Sequence, residues 1–95
     1  LEERYPKPHL LPRDKVGRAV VRAMTAIIGC DIHPLNNLRV LNRLRSQFGA
    51  ESPAIKEWIA HWICAGFEAL ESHIEHYGEG FAFGDRPTIV DCFLV

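Results

Sequence analysis

The 95-residue chain has almost no net charge, no long apolar run and only three cysteines. Its formal charge is −1, with basic and acidic residues interspersed. That balance excludes the broad positive field that holds a nucleic-acid backbone or an anionic membrane. No apolar stretch approaches the roughly 20 residues that cross a bilayer, and Leu1-Glu2-Glu3-Arg4-Tyr5-Pro6 lacks the apolar core of a signal peptide. Cys30, Cys64 and Cys92 are odd in number and far apart, which argues against a disulfide framework. Each is expected to be a small buried or half-buried thiol rather than a nucleophile. Internal repeats, low-complexity tracts and strand-length alternation are also missing. The expectation is a soluble cytoplasmic protein, with neither nucleic acid nor membrane as a partner.

What is present is helical patterning, on an apolar fraction of 47% that suffices for one small core. Pro6, Pro8 and Pro12 remove amide donors from residues 4–13, which read as an extended connector. Asp14 is a good N-cap for a helix whose apolar side carries Val16, Ala19, Val20, Ala23, Met24, Ile27 and Ile28, with Gly29 as its stop. A second helix is predicted from about Pro34 to Phe48, ending at Gly49. Ser52-Pro53, N-cap and first helical position, starts a long central helix. Its broad apolar face runs through Ile55, Trp58, Ile59, Trp62, Ile63, Gly66, Phe67, Leu70 and Ile74, and Gly66 allows a neighbouring helix to approach. Tyr77-Gly78 ends it, and Phe81 to Pro87 form a loop with aromatic anchors. Thr88-Ile89-Val90-Asp91 has the form of a capping box, with aspartate in place of the usual glutamate. Thr88 and Asp91 are accordingly assigned a structural capping role.

The densest polar chemistry lies in Asp31-Ile32-His33-Pro34-Leu35-Asn36-Asn37-Leu38-Arg39-Val40-Leu41, more than a structural helix entrance needs. Unpaired amides at a helix N-terminus, together with a guanidinium whose planar fork matches a carboxylate, make an anion site the natural candidate. Arg39, Arg43 and Arg45 also form a basic side, but acidic neighbours make it read as a solvated face. His61 with Cys64, and His73 with His76, are each spaced for one helical face. Twelve residues separate the pairs, which turns them about 120° apart on a helix, so no metal site is assigned.

The polar run and Gly84-Asp-Arg-Pro-Thr-Ile-Val-Asp-Cys-Phe-Leu-Val95 resemble the C-terminal helical domain of zeta-class glutathione transferases. That class includes the maleylacetoacetate and bacterial maleylpyruvate isomerases. Trp58 to Glu71 agrees with it, and the resemblance covers essentially the whole chain. It implies an all-α fold, a truncated helical bundle of the transferase C-terminal type. Residues 1–13 would be the end of a preceding helix plus the interdomain linker, and residues 14–95 a partial helical domain. A thioredoxin-like domain carrying the catalytic serine and cysteine motif would lie before Leu1, so no catalytic residue is assigned here. The resemblance further implies glutathione as cofactor, contacted by His33, and a maleyl dicarboxylate as substrate, contacted by Arg39 and oriented with help from Asn37. His33 and Arg39 would then face one shared cleft. The implied activity is glutathione-dependent cis–trans isomerisation to the fumaryl isomer, in a homodimeric parent, with the isolated 95 residues inactive. A general glutathione transferase and a non-catalytic helical interaction module are the alternatives.

Overall fold

The computed structural model describes residues 2–95. Helices α1 (Lys15–Ala26), α2 (Leu38–Phe48), α3 (Ser52–Tyr77) and α4 (Ile89–Leu94) carry the fold, and a π-helical segment, Ile27–Ile32, prolongs α1. Among the described residues there is no strand, only an isolated bridge between Gly78 and Gly84. The fold is all-α, as expected.

Local rules account for most of the boundaries. Asp14 caps α1 by accepting from the Gly17 amide at 2.6 Å. Gly49 ends α2 with φ at 64°, a left-handed conformation that favours glycine, and its amide donates to the Arg45 carbonyl at 3.1 Å. Pro53 lies in the first turn of α3, but the N-cap is Glu51 and Ser52 is already helical. At 26 residues, α3 is about 39 Å long and forms the spine of the molecule.

The core joins α1, the π-helical segment, α3, α4 and the 78–88 loop through Val21, Met24, Ile32, Leu70, Ala82 and Val90. On α1 the buried residues are Gly17, Val21 and Met24, whereas Val16 is 71% exposed. The expected apolar side was therefore rotated, because α1 carries apolar residues on two faces and only one turns to the core that includes Leu70 of α3 and Val90 of α4. The notch at Gly66 accepts the Ile32 side chain, and a Cβ there would overlap it. Cys30, Cys64 and Cys92 are all exposed, contrary to the expected burial. Cys64, for example, stands about 200° around the helix from Gly66, away from the packed face.

The loop after α3 is tied down at both ends. Gly84 N donates to the Tyr77 carbonyl at 2.8 Å, and Phe83 stacks on Tyr77 with centroids 5.7 Å apart. Upstream, the Glu2 carboxylate accepts from His9 Nδ1 at 3.1 Å and from the Leu10 amide at 3.0 Å, while Ile89 N donates to the Leu10 carbonyl at 2.9 Å. The connector is thus fastened to the start of α4. The expected preceding helix end falls on Leu1, outside the described residues, and on Glu2 and Glu3, which lie in a turn.

Candidate functional site

The polar run does not enter a helix at Pro34. Its first half is the tail of α1, widened to a π-helix in which the His33 amide donates to the Ile28 carbonyl at 2.9 Å. Proline explains the change: Pro34 has no amide to donate, and in an α-helix its ring would collide with the carbonyl four residues back. Gly29, expected to stop the helix, lies inside this segment. Residues 33–36 form a turn, and α2 begins at Leu38.

Asn37 is the N-cap of α2, its Oδ1 accepting from the Arg39 amide at 3.1 Å. Because an amide N–H can only donate, that bond fixes the carboxamide orientation and leaves Nδ2 as a free donor. The first turn of α2 contains no acidic residue. The only ion pairs among the described residues are Glu2–His9 and Asp85–Arg86, so no carboxylate engages Arg39. His33, which opens the turn, and Arg39, in the first turn of α2, are exposed, and Asn37 is half-buried. Arg39 thus carries a permanent positive charge with no internal anion paired to it, next to a spare Asn37 donor, a combination whose chemistry suits a carboxylate.

This surface is open. A cavity of about 490 Å³ lies instead between the connector and the 83–88 loop, lined by His9, Leu11, Arg13, Phe83, Arg86 and Thr88 among others. Neither it nor the two shallower cavities includes His33, Asn37 or Arg39.

Behind the turn, α3 supplies groups that sequence reasoning assigned only to an apolar face. Trp58 Nε1 donates to the Leu35 carbonyl at 3.0 Å, and Asn36 Nδ2 donates to the Ile59 carbonyl at 3.5 Å. Asn36 Oδ1 and Trp62 Nε1 are buried without a hydrogen-bond partner. The signal was available in principle, since a tryptophan in a helix interface needs somewhere to put its N–H. Only the fold could say where.

Thr88 and Asp91 form their capping box at the start of α4. The Asp91 carboxylate accepts from the Thr88 amide at 2.7 Å, the Thr88 hydroxyl at 3.1 Å and the Ala82 amide at 2.9 Å. Burial opposes its ionisation, yet these donors outweigh burial and hold its pKa below the ordinary aspartate value. Among the described residues no group of three or more His, Cys, Asp or Glu side chains is placed to hold a metal.

No family model matches the chain. Individual relatives do. Over its whole length it is 53% identical to a maleylpyruvate isomerase of Ralstonia sp, covering 46% of that protein. It superposes with a TM-score of 0.95 on a holo maleylpyruvate isomerase described as a bacterial glutathione transferase of the zeta class, at 52% identity, over 99% of this chain and 45% of the other. A maleylacetoacetate isomerase of Anaeromyxobacter dehalogenans, solved with dicarboxyethyl glutathione and citrate in its active site, matches with a TM-score of 0.89 and 39% identity, over 98% of this chain and 42% of that one. Over its whole length the chain is thus similar to zeta-class glutathione transferases, and it has the fold of the transferase C-terminal helical domain. It spans a little under half the length of the curated relatives it matches.

Proposed function

We propose that this chain is the helical part of a glutathione-dependent isomerase that converts maleylpyruvate or maleylacetoacetate to the fumaryl isomer. The whole-chain identity of 53% to a maleylpyruvate isomerase carries the proposal. The relative that holds dicarboxyethyl glutathione supports both the thiol and the dicarboxylate. In this reading residues 14–95 work with a thioredoxin-like domain joined through residues 1–13.

The residues present fit such ligands. Arg39 is exposed and unpaired with any described carboxylate. Its guanidinium grips a substrate carboxylate through paired donors. Asn37, its oxygen committed to the cap, offers Nδ2 to the same anion. His33, which opens the turn, contacts glutathione. Glutathione, when bound, supplies the thiolate that adds to the cis double bond and departs after rotation about the resulting single bond. In this reading, stabilising that thiolate falls to the thioredoxin-like domain.

No helix among the described residues is long and apolar enough to cross a membrane, and a cytoplasmic location accords with the proposed metabolism. A homodimer is part of the same reading. Its support is a second apolar stripe on α1, formed by the exposed residues Val16, Ala19, Ala23 and Ala26 on the side away from Val21 and Met24.

Arg39→Ala in the full-length enzyme tests the substrate role. Loss of one charge-assisted contact lowers kcat/KM for the maleyl substrate about 10- to 100-fold. Conjugation of glutathione to an uncharged electrophile is spared. Equal loss in both assays, or in neither, removes the dicarboxylate role and leaves a general transferase.

A further inference from the structure

We propose that Trp58, which lies outside the anion-binding turn, is a positioning residue for both His33 and Arg39, an inference that rests on the ligand roles given to those two residues above. The turn between them is weakly held from within. Pro34 contributes no amide donor, and the internal bonds from Asn36 N to the Ile32 carbonyl and from Asn37 N to the Pro34 carbonyl are long, at 3.3 and 3.4 Å. Beyond the turn, α2 shares no extensive interface with the other helices, and Leu38 and Phe48 at its ends are 67% and 71% exposed. Leu41 is the one buried residue of α2, and the turn itself does not fix its own place.

The ties to α3 do so. Ile32 sits in the notch at Gly66, just before the turn. In its middle, the Trp58 indole N–H reaches the Leu35 carbonyl at 3.0 Å, against 3.5 Å for the Asn36 tie to Ile59. Trp58 is half-buried and its ring packs edge-on against Trp62 with centroids 5.8 Å apart, so the donor is carried by a stiff support. The exposed His33 and Arg39 side chains take their bearing from this backbone. Removing one N–H should loosen both at once and leave the thiolate chemistry alone.

The experiment replaces Trp58 in the full-length enzyme by benzothienylalanine, which keeps the bicyclic outline and lacks the N–H, with Trp58→Phe as a second variant. Expected is a parallel rise of about threefold to tenfold in KM for glutathione and for the maleyl substrate, with kcat changed less than about twofold. A purely structural role lowers kcat through lost active protein and leaves KM alone. Unchanged KM values, a fall in kcat alone, or a rise for one ligand only overturns the proposal. Arg39→Ala, assayed in parallel, separates the two levels of inference. If that variant also leaves the maleyl KM unchanged, the ligand assignment has failed, and Trp58 is then decided by the amide NMR signals of His33 and Arg39. Those signals shift in the benzothienylalanine protein if the indole positions the turn, and static signals overturn it.

Discussion

Asp91 links two parts of the molecule with one carboxylate, closing the first turn of α4 through Thr88 and holding the preceding loop through Ala82. Its ionised form is favoured in the folded state. The sign follows from linkage: a lowered folded pKa gives stability that is complete above the unfolded value, near 4, and lost as pH falls through the folded one. Asp91→Asn keeps an acceptor but not the charge. The variant should be less stable at pH 7, by about 1 kcal/mol on the scale of a helix cap. The gap in Tm should close as the pH is lowered toward 3, and parallel Tm curves would remove the charge from the account. Asp91 was legible in the sequence as a cap, because a capping box acts within four residues. The tie to Ala82 was not, since nothing in residues 78–88 announces which amide turns back toward α4.

Helix ends set by local chemistry stand close to where the sequence put them: Asp14, Gly49 and Tyr77-Gly78 each punctuate an element as predicted. The junction between α1 and α2 does not. There the pattern pointed to a stop at Gly29 and a start at Pro34, whereas the chain stays helical to Ile32 by widening and restarts at Leu38. Widening brings Ile32 against Gly66, and that contact is tight enough that Gly66→Ala forces the Ile32 side chain, or the segment that carries it, to shift. Overpacking of this kind costs about 1–3 kcal/mol. In urea denaturation the single variant should show that loss, while Gly66→Ala combined with Ile32→Ala should lose less than the sum of the two singles. Additive losses would mean that the notch and the isoleucine do not meet. The candidate anion site shares this fate: its residue types were visible, but the π-helical register that leads into His33 and delays the start of α2 to Leu38 was not.

The 95 residues spread over more space than a self-sufficient domain of their mass. They expose 7022 Å², against about 5,500 Å² expected for a compact monomer. Their radius of gyration is 16.2 Å, against about 12 Å. Much of the surplus is apolar, with Val16, Leu38, Phe48 and Phe67 all well exposed. The isolated chain should therefore bind a hydrophobic dye, and its mass in sedimentation equilibrium should rise over a range on the order of micromolar to millimolar. A dye-silent monomer throughout that range would show that this surface is tolerated in water.

By itself the sequence determined that the chain is helical, where most helices begin and end, and which polar run is richest in anion-binding chemistry. Caps, breakers and apolar periodicity act over a few neighbouring residues, so they can be read without a fold. The tertiary structure alone decided which of the two apolar faces of α1 is buried, that Ile32 meets Gly66, and that Trp58 reaches Leu35. Those choices join residues more than twenty positions apart, and such pairings follow from how whole helices pack rather than from any local pattern.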